Sequence, residues 1–212
     1  MDKILQIYHI LFEQYGRQYW WPGETVDEII IGAILTQNTN WNNVEKSIQN
    51  LKKQNLLSLK YLKNLKTSKL ETLIKPAGFY KVKAKYLKNA AKLIDIEKIE
   101  KLDIKTSRQT LLNIKGIGPE TADSILLYAF NKPIFVIDAY TKRIFSRLGI
   151  VKHNVSYQKL QKLFMVNLTE NSYLFQEYHA LLVYHAKHFC RSQPLCSKCA
   201  IVNHCNKKFE NR

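Results

Sequence analysis

The sequence predicts an all-α fold, and three observations carry that prediction. Apolar residues recur at the three- and four-residue spacing of a helix along nearly the whole chain. No stretch alternates apolar and polar residues in the manner of a half-buried strand. The breaks between periodic runs fall at short punctuation, Gly78, Asn131-Lys132-Pro133 and Gly149, with no internal repeat and no low-complexity linker.

In chain order, the first run, 3–14, mixes charged and apolar residues as an amphipathic helix does. The second, 26–35, holds the longest apolar stretch, Ile29 to Leu35. Helices follow over 41–53, 57–64 and 68–74, the last capped by Thr67 or Ser68. The run 82–94, with Lys81 just before it, has lysines at 81, 85, 88 and 92 along one side and Lys83 on another, and reads as a solvated face that steers polyanions diffusely. Thr106 or Ser107 caps a helix over 107–113, and Pro119 suits the first position of a helix over 120–130, where an N–H would be unsatisfied anyway. Asp138 and Ser156 precede helices over 140–148 and 157–168, and a final helix covers 173–188.

With 212 residues the chain is long enough for one large or two modest domains, each with a core. Its formal charge of +16 points to a polyanionic partner, nucleic acid before membrane, although lysine-rich composition alone accounts for part of it. No apolar run approaches the length a membrane helix needs, and the N-terminus reads as a helix, not as a signal peptide. The expected setting is intracellular, in the cytoplasm or nucleoid if the source is bacterial, where cysteines stay reduced.

The segment from Leu112 to Asp138, LNIKGIGPETADSILLYAFNKPIFVID, concentrates the functional signals. Gly116-Ile117-Gly118 can turn tightly because glycine accepts positive φ. Backbone amides at such a bend, where a helix begins, can hold a phosphate. A Gly-x-Gly between helices also serves as a plain turn. A lone carboxylate, Asp138, follows 20 residues after the second glycine (138 − 118).

Cys190, Cys196, Cys199 and Cys205 are the only cysteines and give C-x5-C-x2-C-x5-C. Such tight clustering suits a metal centre better than a disulfide framework. Tetrathiolate ligation fits zinc or an iron–sulfur cluster equally by ligand chemistry. His188 and His204 flank the motif and read as surface residues, and Arg191, Lys198, Lys207 and Lys208 add positive charge around it.

The hairpin Ile114-Lys115-Gly116-Ile117-Gly118 and the segment Ile137-Asp138-Ala139-Tyr140 resemble the helix-hairpin-helix DNA glycosylases of the endonuclease III superfamily. Two further stretches are similar to that family, Ala33-Ile34-Leu35-Thr36-Gln37-Asn38-Thr39 and Ala77-Gly78-Phe79-Tyr80-Lys81-Val82-Lys83-Ala84. With the cysteines, the similarity covers roughly residues 24 to 205. It implies a six-helix barrel domain over 22–132, with the helix-hairpin-helix at about 107–130. Residues 1–21 and 133–212 would form a second domain that carries the metal. By the same resemblance the cysteines hold a [4Fe-4S] cluster in preference to zinc, although the first cysteine gap is one residue shorter than the family's C-x6-C.

A glycosylase exposes a base from the stack and breaks its N-glycosidic bond. The resemblance gives Asp138 the catalytic part, because a carboxylate stabilises the positive charge that develops on the sugar. It gives Lys115, Gly116 and Gly118 the DNA backbone and makes Gln37 the intercalating residue that fills the space left by the extruded nucleotide. Glu120 is the departure. Members of the family that also cut the strand carry a lysine there, whose amine attacks C1′; a carboxylate cannot form an imine, so AP lyase activity is not expected. Trp20, Trp21 and Trp41 offer aromatic faces to a cationic base such as 3-methyladenine or 7-methylguanine, each contact being worth about 0.5–2 kcal/mol. Trp41, Trp20 and Glu120 therefore form the expected base pocket, in likeness to the 3-methyladenine branch; Trp20 and Trp21 could equally staple the N-terminal helix to the core.

The expected protein is a monofunctional DNA glycosylase of base excision repair, a monomer acting on double-stranded DNA with damaged bases, most simply alkylated purines. A glycosylase/lyase for oxidised pyrimidines is the rival enzyme, and a non-catalytic helix-hairpin-helix DNA-binding module with a structural metal is the non-enzymatic alternative.

Overall fold

The computed structural model describes residues 3–20 and 23–206, which leaves Trp21, Lys207 and Lys208 outside the described residues. Among the described residues there are 12 α-helices and no strand, as the periodicity requires. The chain divides into two compact units, one of Trp21–Lys132 and the other of Met1–Trp20 with Pro133–Arg212.

The first unit is built round α2 (Val26–Leu35), of which Glu28 through Leu35 are all buried. A helix apolar on every side belongs inside a core, and α3 (Trp41–Lys52) and α6 (Tyr80–Leu93) both pack on it. Thr25 caps α2 by accepting the Glu28 amide. The buried Glu28 carboxylate is paired with Lys52 at 2.9 Å, which anchors α3. Two short helices, α4 (Leu59–Asn64) and α5 (Thr67–Leu73), lie against α6. The cap of α5 is Lys66, which makes no side-chain bond, so neither Thr67 nor Ser68 plays the expected part.

Helix α7 (Ile96–Lys101) was not foreseen: it is six residues long and shows one buried apolar position, too little for a period. Its N-cap Asp95 accepts the Lys98 amide. Helix α8 (Ile104–Leu112) begins three residues before its expected start, because Asp103, and neither Thr106 nor Ser107, caps it by accepting the Thr106 amide. Helix α9 (Pro119–Ser124) starts on the expected proline and continues as a π turn, Ile125–Ala129.

The second unit gathers α1 (Lys3–Tyr15), α10 (Ala139–Arg147), α11 (Tyr157–Asn167) and α12 (Ser172–His188). Its core is aromatic: Phe135 stacks on Phe164 at 4.0 Å between ring centres, with Phe145, Phe175 and Tyr178 around them. The Tyr178 hydroxyl donates to the Ile4 carbonyl at 2.7 Å, which ties α12 to α1 and satisfies a buried polar group. The strip Ile134–Ile137 runs buried into the start of α10 and delivers Asp138 to the helix N-terminus.

Candidate active site

Asp138 is the N-cap of α10, with extended backbone (φ −98°, ψ 179°). Its Oδ1 accepts two bonds from Thr141, from the amide at 2.7 Å and from the hydroxyl at 2.8 Å. Its Oδ2 faces Nε2 of His179 on α12 at 3.6 Å. The side chain is 13% exposed, so the carboxylate is largely shielded yet reachable. Burial pushes its carboxyl upward, but the neighbouring His179 imidazole, then the Thr141 donors, outweigh it and hold the group below the ordinary aspartate range. Trp20 lies against the other side of the pair, its ring centre 5.7 Å from that of His179. Asp138, Thr141, His179 and Trp20 therefore form one cluster in one unit, with Thr141 and His179 unforeseen. A histidine on the apolar side of a helix gives no sequence signal beyond an ordinary core residue, and Thr141 is legible only once Asp138 is known to be a cap.

The residues expected to contact the DNA backbone and the orphaned base, with Trp41 and Glu120, belong to the Trp21–Lys132 unit. At the hairpin only Gly116 takes positive φ, at 107°, whereas Gly118 is extended at φ −90° and caps α9. A Cβ on Gly116 would stand 2.2 Å from the Tyr86 ring, so glycine is needed here for space as well as for backbone. The hairpin carbonyls are held from within: Asn89 donates to Lys115 at 3.0 Å and Gln37 donates to Gly116 at 2.9 Å. Arg108 forks onto the fully buried Asp123 at 2.6 and 3.1 Å and locks α8 to α9. Lys115, Gly118 and Glu120 are exposed at the bend.

Gln37 is more engaged than the sequence indicates. Its amide nitrogen also donates to the Thr121 hydroxyl at 3.0 Å, so it joins the end of α2 to both sides of the hairpin. Its neighbour Asn38 is exposed with φ 53°. Phe79, also in the left-handed region (φ 46°) and 68% exposed, caps α6 without a side-chain bond. A large aromatic held out in a strained turn is a functional signal. The sequence displays Phe79 but cannot show its exposure. Trp41 is half-buried, with its indole 3.6 Å from the position a Cβ on Gly32 would take, so it leans on α2.

The lysine row needs correction. Lys83 is 2% exposed and donates from Nζ to the carbonyls of Leu35 and Ala77, each at 2.8 Å. It closes the C-terminus of α2, and burial lowers its pKa to about 8. Lys88 donates to the carbonyls of Lys63 and Leu65. Lys81, Lys85 and Lys92 stay exposed, so the solvated face is narrower than the spacing implies.

Cys190, Cys196, Cys199 and Cys205 occupy the turns that follow α12 in the second unit. Among the described residues no set of three or more His, Cys, Asp or Glu side chains converges closely enough for one metal ion. The cysteines are nonetheless neighbours: burial, and then the charges of Cys190, Cys205 and Cys196, push the Cys199 thiol up to about 11 against one opposing Ile201 amide. A Cys199 thiol raised by three neighbouring cysteines belongs to a donor set that a cationic centre would relieve. Arg147 donates to Cys190 Sγ at 3.2 Å and to the Cys190, Arg191 and Ser192 carbonyls, which fixes the loop on α10. His185, lowered to about 4 by burial, bonds Tyr15 at 2.8 Å and lies 3.6 Å from Cys199 Sγ.

The fold and hairpin define a helix-hairpin-helix protein whose aspartate caps the helix that follows. Residues 31–170 match the HhH-GPD superfamily of base excision DNA repair proteins, and the chain belongs to that family of DNA glycosylases. A protein of Methanocaldococcus jannaschii, named as a candidate DNA repair glycosylase, is 49% identical over 98% of this chain and 97% of its own. Endonuclease III of Thermotoga maritima is 30% identical over 84% of this chain and 81% of its own. Among solved structures, the H. pylori 3-methyladenine DNA glycosylase bound to 1,N6-ethenoadenine superimposes with a TM-score of 0.75 at 29% identity, over 86% of this chain and 96% of the other. An endonuclease III–DNA complex superimposes with a TM-score of 0.82 at 20% identity, over 97% of this chain and 96% of the other, a likeness of fold alone. No helix among the described residues is long and apolar enough to cross a membrane.

Proposed function

We propose that the protein is a monofunctional glycosylase, which hydrolyses the N-glycosidic bond of an alkylated purine in double-stranded DNA and leaves the strand uncut. The observation that carries this reading is the shielded, ionised carboxylate of Asp138, fixed by Thr141 and flanked by His179 and Trp20. A carboxylate in that setting favours a sugar that turns positive more than the neutral starting sugar, and that difference lowers the barrier. It can also orient or deprotonate the attacking water. Glu120 in the first turn of α9 offers no nucleophilic amine, which supports hydrolysis without strand cleavage.

Lys115 and the amides of Gly116 and Gly118 hold the backbone without reading sequence. Phe79 is the apolar wedge of this reading: an exposed aromatic can enter the stack where the nucleotide leaves. Gln37 is the intercalating residue of this reading, braced by the hairpin. A cationic base is favoured by aromatic faces such as those of Trp41 and Trp20 and by negative charge such as that of Glu120. The likeness to a 3-methyladenine glycosylase at 29% identity supports this choice.

The four cysteines hold a [4Fe-4S] cluster that ties down the loop after α12 for phosphate contact and supplies no step of base release. A brown protein with broad visible absorption supports iron; a colourless one containing zinc contradicts it.

The test is a screen of base release from duplexes carrying methylated, deaminated or oxidised bases, with Asp138→Asn beside the wild type. Methylated purines should be released, and Asp138→Asn should abolish release while binding to the damaged duplex persists. Base release surviving in Asp138→Asn would assign the chemistry to another catalytic group, and a wild type that binds DNA but releases no base from any of these duplexes would return the protein to a DNA-binding module.

A further inference from the structure

We infer that His179 is a positioning residue for base release, which holds Oδ2 of Asp138 oriented toward a bound nucleotide from a fixed site on α12. The inference rests on Asp138 being the charge that acts on the sugar, and adds to it a named second residue.

The two carboxylate oxygens are treated differently. Oδ1 takes both Thr141 donors, which are local to the first turn of α10 and would be there for any capping aspartate. Oδ2 is addressed from another helix, by His179 Nε2 at 3.6 Å, 41 residues further along the chain (179 − 138). A cap alone needs no such partner. At that distance the contact is an electrostatic one with room to shorten, looser than an ideal hydrogen bond. The imidazole is 6% exposed in its side chain and sits in a helix packed on α10 and α1, so it cannot drift from its place. Trp20 covers it on one side.

The groups facing the pair from neighbouring elements have other partners. On α10, Arg143 donates to the Cys190 and Ala186 carbonyls, and Arg147 to the loop beyond. Tyr15 of α1 bonds His185, and Glu177 of α12 accepts the Gln18 amide. The named influences on Asp138 are accordingly burial, which raises its carboxyl, and His179 and Thr141, which lower it. Without the imidazole, burial is opposed by the cap alone, and the carboxylate takes up a proton at a higher pH.

The experiment is single-turnover base release from a duplex with one 7-methylguanine, followed from pH 5 to 7 for the wild type, His179→Phe, His179→Asn and Asp138→Asn. Melting and binding to the damaged duplex check folding. The wild type should change by less than about threefold across the window, whereas His179→Phe should lose about tenfold or more at its acid end as the carboxyl titrates into range. His179→Asn, which returns an N–H donor, should lie between. If His179→Phe does not fold, His179→Asn and His179→Gln carry the same comparison. A loss by one constant factor at every pH, in whichever variants fold, overturns the inference and leaves His179 a packing residue. Asp138→Asn keeps the two failures apart: inactivity there with parallel His179 profiles sinks only the role of His179, whereas activity there sinks the reading of Asp138 itself.

Discussion

At the residue scale, the chemistry of this protein turns on how a few charged groups are kept charged inside packed helices. Asp138 is legible in the sequence because a carboxylate after a buried apolar strip and before a helical period must be a cap. Its partner His179 is not, since contact between α10 and α12 is a tertiary fact. Lys83 hides in the same way, as one lysine among five in a short stretch, yet it alone of the five is buried, against the end of α2. Its pKa of about 8 lies below the unfolded value of 10.5, so between these pH values the unfolded chain binds more protons and stability rises with pH. Denaturation midpoints of wild type and Lys83→Met should therefore separate in the wild type's favour from pH 8 to pH 10; a constant difference would refute the lowered pKa of Lys83. For Trp41 the expected outcome concerns the π face. Trp41→Leu keeps an apolar contact over Gly32 but should slow release of methylated purines by about tenfold, near 1.4 kcal/mol, with binding to undamaged duplex little changed. Equal losses in both assays would remove Trp41 from the base pocket.

At the element scale, the long helices follow from apolar spacing, and α2, with its continuous burial, begins and ends where the sequence indicates. What the sequence conceals is short or local. Helix α7 has too few residues to show a period, and the early start of α8 is decided by Asp103, which accepts the Thr106 amide and so caps the helix three residues upstream of the expected start. The hairpin is partly legible: its two glycines are visible, but only the structure separates their parts. Gly116 is bound by φ 107° and by the Tyr86 ring, while Gly118 is extended. Gly116→Ala should accordingly destabilise the protein by more than about 2 kcal/mol, combining backbone strain with a clash. Gly118→Ala, with nothing within 4 Å of a Cβ, should cost less than about 1 kcal/mol in urea unfolding. Equal costs would mean that the bend relaxes freely and is not braced by Tyr86 and Gln37.

At the scale of the whole molecule, a charge of +16 supplies attraction to DNA that is independent of sequence and weakens with salt. The structure removes Lys83 and Lys88 from the free part of that charge, because both are bonded to backbone carbonyls. Family membership was legible in four short stretches and a cysteine spacing, all of them local in sequence. The surroundings that give those stretches their chemistry were not, because they are made by residues far apart in the chain.

In the proposed reaction Asp138 drives hydrolysis and Glu120, standing in place of an amine, leaves the strand whole. The decisive experiment treats an end-labelled duplex containing one 7-methylguanine with the wild-type protein and divides the product between a neutral denaturing gel, an alkali-treated gel and borohydride reduction. Full-length strand is expected on the neutral gel, with cleavage at the modified site only after alkali and no protein–DNA adduct. Cleavage before alkali together with a strong borohydride adduct would contradict this reaction, and would assign the chemistry to an amine such as Lys115.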